Sequence, residues 1–372
     1  MAGTVTGNKV PLYDQVAQTL RQRVRTGEYL SGGNLPSFRV LSREFEVSLK
    51  VIQRAVQCLA EDGVVVTHHG KGMAVVRDKP CERAAISFGV IQPYVRSQLF
   101  HSSVLEFVDE AFAERSNFSV VRSSRDDPKL EREIARHLVA NGVKGLLLWP
   151  VNDDPNGKFF MELSKTIPVV LVDRLLAGAE LPAVVHDYFD AGKRMCEHLL
   201  GRLGKRRLLV LMDDSKISPN TETLLGIQRA AAELGRDADV TIVRWPIYRM
   251  LSDLRDRNFE LMNAHSRKVE ILIAKGGYDA VFCSQGEFLD FGVVQSGIID
   301  RVPSIQMAVM GCVVSNPGSR KYLTFPLVEW VYDSGRMVTQ AADRLQRWVL
   351  TRQRPKGVTR VKFGPPRGGW PE

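Results

Sequence analysis

An α/β chain led by a small helical head is the architecture this sequence predicts, and three observations predict it. From Ile86 onward, apolar runs of strand length alternate with amphipathic stretches of helix length, the order that produces parallel sheets with right-handed crossovers. Before that, residues 9 to about 77 break into short amphipathic segments and a basic hairpin. Between the two lies Asp78-Lys79-Pro80-Cys81-Glu82-Arg83, a polar linker whose proline discourages a continuous helix. The expected domains are therefore 1–77, a linker at 78–83, and 84–372.

In the head, Leu12, Val16, Leu20 and Val24 recur every four residues with Gln15, Gln18, Arg21, Gln22 and Arg25 opposite. That is an amphipathic helix, ended by Gly27. Ser37 after Leu35-Pro36 caps a second helix, with Val40, Leu41 and Phe45 turned inward. Glu46-Val47-Ser48 makes a turn, and Ser48 starts a third helix running to about Glu61. On it, Ile52, Ala55, Val56 and Leu59 share one face, while Lys50, Gln53, Arg54 and Gln57 share the other. Val64–Thr67 and Met73–Val76 read as a hairpin with His68-His69-Gly70-Lys71-Gly72 at its tip.

The larger portion reads as strands at Ile86–Ile91, Ser119–Arg122, Gly145–Trp149, Val169–Val172, Leu208–Met212, Val240–Val243, Ala280–Cys283 and Met307–Val309. Helices are expected at Val104–Glu114, Lys129–Asn141, Phe189–Leu203, Thr223–Leu234 and Leu251–Asn263, with a last strand around Val358–Phe363. The repeat runs through two similar half-domains, which leaves a cleft between them.

Composition bounds what this chain can do. Its 372 residues favour two or three domains, and 44% hydrophobic against 25% charged residues permits large cores. The net charge of +9 is compatible with a polyanionic partner. Residues 1–77 hold ten Lys/Arg against six Asp/Glu, and a second basic run spans Arg352–Arg367. The five cysteines are scattered without C-x-x-C spacing, which reads as free thiols in a reducing compartment. Met1–Tyr13 lacks the apolar core of a secretory signal, and no run approaches the roughly 18 apolar residues of a membrane span. The cytoplasm, with no membrane partner, is the expectation.

A helix face of Lys, Gln, Arg and Gln suits a major groove, because amide and guanidinium forks bond purine edges while cations neutralise phosphates. Glycines in the hairpin tip let its backbone approach the sugar-phosphate rails. The competing reading of the same residues is an ordinary solvated helix face.

These residues resemble the winged helix-turn-helix of the GntR family of bacterial transcription regulators. The resemblance rests on Leu35-Pro36-Ser37-Phe38-Arg39-Val40-Leu41-Ser42, on Val47-Ser48-Leu49-Lys50-Val51-Ile52-Gln53-Arg54-Ala55-Val56, and on Gly70-Lys71-Gly72. By position it implies DNA contact for Arg39, Ser48, Lys50, Val51, Gln53, His69 and Gly70; the charge pattern adds Arg54 and Lys71. Leu49 and Gln53 stand where that family commonly has arginine, so base preference does not transfer.

The remainder resembles the sensor domain of the LacI/GalR repressors, a two-lobed, periplasmic-binding-protein-like fold with Rossmann-like parallel sheets. The phrases that carry it include Gly142–Leu148, Ile167–Arg174, Val185–Gly192 and Leu225–Ala230. A GntR-type head on such a sensor is similar to the arabinose-repressor-like subgroup. On that pattern lobe 1 takes about 84–187 and 329–350, and lobe 2 about 188–328 and 351–364. The cleft departs from the family: Thr223 replaces a sugar-binding arginine, Val313 and Val314 follow Cys312 where an aspartate is usual, and Gln285-Gly286-Glu287 replaces Asn-Asp. With Tyr94, Trp149, Asp153, Trp245 and Trp330 kept as further cleft candidates, two alternatives stand: a small-molecule effector less polar than a sugar, or no effector. Any one of these aromatics is equally well a core residue.

No catalytic or metal motif is present. Asp126-Asp127, Asp153-Asp154 and Asp213-Asp214 read as solvated turns, with Asp153 alone kept for the cleft. The adjacent His68-His69 lack metal-ligand spacing, and Gly70-Lys71-Gly72 is too short for a phosphate loop. The expectation is a non-enzymatic, cofactor-free transcriptional regulator, a homodimeric repressor on a double-stranded DNA operator. Its rivals are a DNA-binding dimer with a degenerate sensor, and a solute-binding or enzymatic module.

Overall fold

The computed structural model describes residues 11–25, 28–30, 32–68, 72–76, 85–93, 101–247, 250, 258–286, 288–289, 304–311 and 326–366. The chain divides into two compact units at Ala84.

The first unit holds helix α1 (Leu12–Arg25), a short strand β1 (Asn34–Leu35), α2 (Phe38–Glu44), α3 (Leu49–Glu61) and strands β2 (Val65–His68) and β3 (Gly72–Val75). The α3 residues Ile52, Ala55, Val56 and Leu59 are buried at i, i+3, i+4 and i+7, and close a core with Val16, Leu20, Leu41, Val65 and Met73. Ser37 Oγ accepts from Val40 N at 3.4 Å at the start of α2. The α2–α3 turn places Glu46 at φ +52°, and Ser42 Oγ donates to Val47 O at 2.6 Å to close it. Arg23 ties α1 to α2 through Glu44 and lies 5.2 Å from the Phe45 ring centroid. The hairpin β2–β3 is extended to three antiparallel strands by β1, which the sequence did not announce.

The second unit contains two parallel sheets. The first is built from β4 (Ser87–Gln92), β5 (Phe118–Ser123), β6 (Leu146–Leu148), β7 (Val169–Val172), β8 (Ala183–His186) and β14 (Val358–Val361), in the order β14-β8-β7-β6-β4-β5. Helices α4 (His101–Ala113) and α10 (Ser334–Thr351) cover one face around Phe88, Val90, Leu147 and Val170. Helices α5 (Pro128–Ala140) and α6 (Gly157–Leu163) cover the other, around Ile91, Leu146, Leu148 and Val169. Alternate strand residues thus enter two different cores, which is why these strands read as unbroken apolar runs.

The second sheet is built from β9 (Leu208–Asp213), β10 (Val240–Trp245), β11 (Ala280–Cys283), β12 (Gln306–Met310) and β13 (Leu327–Trp330), ordered β10-β9-β11-β12-β13. Helices α7 (Tyr188–Cys196, continuing as a π-helical turn to Arg202) and α8 (Ser218–Glu233) pack on one face, and α9 (Glu260–Gly276) on the other. Helices α7 and α8 approach so closely that a Cβ on Gly226 would lie 2.1 Å from Phe189 O.

Three expectations are corrected. The helix expected at Leu251–Asn263 is α9, running Glu260–Gly276, while 251–257 fall outside the described residues. Strands β8 and β13 and helices α6 and α10 were not foreseen. The lobe boundaries also change: 329–330 belong to β13 of lobe 2, and the strand within 351–364 pairs in parallel with β8 of lobe 1. Only Phe363 from that segment enters the lobe 2 core. Three short crossings, at Asp187, Val331–Asp333 and Lys362, therefore join the lobes.

Candidate functional site

In the first unit, Ser48, Lys50, Val51, Gln53 and Arg54 line one groove together with Tyr13 and Gln57, with a volume of about 470 Å³. Lys50, Gln53, Arg54 and Gln57 are exposed, and Val51 is half-buried against the core. Ser48 makes no side-chain cap bond, which leaves its hydroxyl available at the helix N-terminus. Arg39 is exposed on α2, outside the residues that line the groove. His69, Gly70 and Lys71 lie outside the described residues. Tyr13 is the groove residue that sequence reasoning missed, because it sits on a different helix. Its position one residue after Leu12, at the start of an amphipathic segment, gave no signal.

In the second unit both sheets share the strand order 2-1-3-4-5 counted within each lobe, with β14 added as a sixth strand beyond β8 in lobe 1. Such sheets place ligands beyond the strand C-termini, at the crevice where the order reverses. That crevice lies beyond β4 and β6 in lobe 1 and beyond β9 and β11 in lobe 2. The residues there are Gln92, Pro150 to Asp153, Asp213 to Lys216, and Ser284 with Gln285. Gln92 and Ser284 are buried, and Gln92 Nε2 and Ser284 Oγ have no hydrogen-bond partner among the described residues.

The lobe 1 rim is a fixed polar lattice. Asn152 donates to Asp126 from its backbone N at 2.7 Å and from Nδ2 at 2.8 Å. Arg174 Nη1 donates to Asn152 Oδ1 at 3.1 Å and to Pro150 O at 2.9 Å. Beneath it Glu131 accepts from Val151 N and Asn156 Nδ2. Burial first, and then the neighbouring Asp154 carboxylate, push the Glu131 carboxyl up to about 9, and burial raises the Asp154 carboxyl as well. Arg125, Asp126, Asp153 and Asp173 all adopt positive φ, between 46° and 65°. Left-handed non-glycine residues grouped at strand ends mark places where the backbone serves a site rather than local comfort.

The lobe 2 rim is organised by Asp213. Its buried carboxylate accepts from Ser215 N at 3.0 Å, from Ser215 Oγ, from Asn220 Nδ2 at 3.3 Å and from Ile247 N at 3.1 Å. Reading Asp213 as a solvated turn residue is thus corrected: it ties the ends of β9 and β10 to the start of α8. Across the cleft mouth, Lys216 N donates to Asp153 Oδ1 at 2.7 Å and Leu175 N to Ser218 Oγ at 2.8 Å. Farther round, Arg360 and Glu222 form a two-pronged pair at 2.6 and 2.8 Å.

The aromatic candidates do not converge on this crevice. Trp149 is buried in a lobe 1 core, and Trp245 in one lobe 2 core against His265 and Phe288. Trp330 lies in the opposite lobe 2 core, edge-on to His198. Large apolar area decides their place, as it does for most tryptophans. Thr223 is also a packing residue: its backbone O faces Gly192, and its hydroxyl lies 4.0 Å from Met310 Sδ. Gln285 is half-buried beyond β11, and Asp153 stands at the mouth as described. Tyr94 falls outside the described residues. Among the described residues, no three His, Cys, Asp or Glu side chains are grouped as a metal would require, and no helix is long and apolar enough to cross a membrane.

Comparison with known proteins matches residues 12–75 to the bacterial regulatory proteins of the gntR family. Residues 85–268 match the periplasmic binding proteins and sugar binding domain of the LacI family. The Exu regulon transcriptional regulator of Escherichia coli K12 is 32% identical over 103 residues, 26% of this chain, which spans 40% of that protein's length. The arabinose metabolism transcriptional repressor of Halalkalibacterium halodurans is 21% identical over 233 residues, 60% of this chain and 61% of that protein. Among solved structures, the Cra transcriptional dual regulator of Pseudomonas putida, in complex with fructose 1-phosphate, superposes with a TM-score of 0.61 at 18% identity. That match covers 76% of this chain and 98% of the other. The first unit thus carries a gntR-type helix-turn-helix domain over residues 12–75, and the second a LacI-type periplasmic binding domain matched over residues 85–268.

Proposed function

We propose that this chain is a sequence-specific transcriptional regulator, a repressor, which acts as a cytoplasmic homodimer on a double-stranded DNA operator. The observation that carries this reading is the groove along α3, where one ammonium, one guanidinium and two amides share an exposed helix face over a buried apolar one. Cations on such a face neutralise phosphates, and its guanidinium and amide forks are the groups that can bond purine edges.

The second unit is read as the sensor for a small-molecule effector held between its lobes. Gln92 and Ser284, buried at the two switch points, supply a donor amide and a hydroxyl for polar groups of that molecule, while the tryptophans stay in the cores. The effector's polarity is thus set by amide and hydroxyl groups rather than by a stacked indole. It alters operator affinity only by favouring one lobe arrangement over the other. A second reading is supported by the direct bonds between the lips, Asp153 to Lys216 N and Leu175 N to Ser218: the second unit acts as a scaffold, and DNA binding is constitutive.

Footprinting the full chain on genomic DNA, with and without a panel of metabolites that raise its melting temperature, tests these readings. A protected site released by one metabolite supports the regulated reading. Protection insensitive to every stabilising metabolite supports the constitutive one, and no protection at any site overturns both.

A further inference from the structure

We propose that Arg54 is the base-reading guanidinium of α3, and that Tyr13 and Gln57 are positioning residues that hold it at the groove. The inference rests on the DNA-binding reading above and adds to it a specificity determinant. Among the described residues lining the groove, Arg54 carries the one guanidinium and Lys50 the one ammonium. The two are not equivalent. A lysine offers a strongly hydrated point charge, whereas a guanidinium offers a planar fork that matches the O6 and N7 acceptors of guanine.

A fork reads a base only when its plane is oriented, and an exposed arginine is ordinarily free to rotate. Here it is held on two sides. Its Cζ lies 5.9 Å from the centroid of the Tyr13 ring, contributed by α1, within the range of cation–π attraction. Its Nη1 donates to Gln57 Oε1 at 2.9 Å, and Gln57 Nε2 in turn donates to Glu61 Oε1 at 2.9 Å. Gln57 sits three residues beyond Arg54 on the same helical face, and Glu61 four beyond Gln57, so each partner is an adjacent helical neighbour. The chain Tyr13–Arg54–Gln57–Glu61 therefore occupies one guanidinium nitrogen and leaves the Nη2–Nε edge for a base. Gln57 acts as the support: its carbonyl accepts from Arg54 and its amide donates to Glu61. Lys50, about one turn nearer the helix N-terminus, and Gln53, the residue before Arg54, line the same groove.

The test uses the full-length chain and random-sequence duplex DNA. Duplexes selected by the wild type are measured by fluorescence anisotropy at one fixed salt concentration, together with every single-base-pair variant of the selected sequence. The wild type should prefer guanine at one position by about tenfold or more. R54K and Y13L should flatten that position while preferences elsewhere persist; Y13F, which keeps the ring, should retain it. Should Y13L fail to fold by circular dichroism, Q57A on the exposed face takes its place, with the same expected local flattening. The proposal is overturned if R54K leaves the preference profile unchanged, if Y13L (or Q57A in its place) lowers affinity equally for all duplexes, or if Y13F behaves as Y13L. If the wild type itself selects no sequence, the DNA-binding reading falls together with it.

Discussion

The Tyr188 hydroxyl donates to Asp173 Oδ1 at 2.5 Å, and this bond joins the two lobes where the chain crosses between them. Asp173 follows β7 of lobe 1, and Tyr188 opens α7 of lobe 2. His186 is buried beside both, its Nδ1 3.6 Å from the carboxylate. Each crossing contributes one ring around that imidazole: Tyr188 at 5.8 Å, Tyr332 at 5.3 Å and Phe363 at 5.3 Å. The junction between the lobes is thus a small aromatic core around His186, with the Asp173 carboxylate at its edge.

Burial alone would push the Asp173 carboxyl up; His186, Arg174 and the Tyr188 hydroxyl outweigh it and hold the group below the usual carboxylate range. A depressed folded value stabilises the protein above the unfolded value of about 4, and the effect is lost as pH falls through the folded one. Tyr188→Phe removes a hydrogen bond to a charged group, a loss of about 1.5–3 kcal/mol at pH 7. Urea unfolding at pH 7 and pH 3 should show the gap between wild type and variant narrowing in acid. An equal gap at both values would mean the bond is not coupled to the charge.

Glu131 behaves in the opposite sense. Its folded value is raised to about 9 by burial and by Asp154, so the folded chain keeps a proton that the unfolded chain releases above about pH 4.3. Stability from this group is complete below the unfolded value and declines as pH rises towards 9, by at most about 1.4 kcal/mol per pH unit. Glu131→Gln should remove that component, giving a flatter stability profile between pH 5 and 8. A wild-type profile without any decline attributable to Glu131 would show that the carboxyl ionises in the folded chain.

The alternation of strand and helix was legible from residue types because each central strand is buried on both faces and each amphipathic helix on one. Val169–Val172 and Ala280–Cys283 match their expected ranges for that reason. Strands β8 and β13 escaped because Ala183–His186 and Leu327–Trp330 each carry a polar residue, His186 or Glu329, that breaks an otherwise apolar run. The α3 face was legible as a helix period. The inter-lobe rim was not. Asp213 looks like any Asp-Asp turn until Ile247 N and Asn220, 34 and 7 residues away, are folded onto it. The tryptophans failed as cleft markers because sequence gives their size but not which side of a sheet they face.

The α7–α8 contact yields a packing prediction. A Cβ on Gly226 would meet Phe189 O at 2.1 Å and Lys193 N at 2.8 Å, and one on Gly192 would meet Thr223 O at 2.3 Å. These are backbone atoms, so relief requires the helices to separate rather than a side chain to turn. Gly226→Ala and Gly192→Ala should each destabilise by about 3 kcal/mol or more, the upper end of overpacking costs. Chemical denaturation reads this directly. A loss under about 1 kcal/mol would show that the helix pair can part without consequence.

Arg39 on α2 and Lys50 on α3 separate phosphate binding from base reading. Both are exposed, and a lysine or arginine that meets only a phosphate adds affinity without sequence preference. Each such contact contributes about 0.9 to the slope of log affinity against log salt. Arg39→Ala and Lys50→Ala should therefore weaken binding to all duplexes alike and lower the salt slope by about one each. Arg54→Lys, which keeps its charge, should leave the slope in place while changing which duplex is preferred. Anisotropy titrations across a range of salt concentrations distinguish the two classes. If Lys50→Ala changed base preference with the slope intact, Lys50 would join Arg54 as a reader, and the division of labour along this helix face would have to be redrawn.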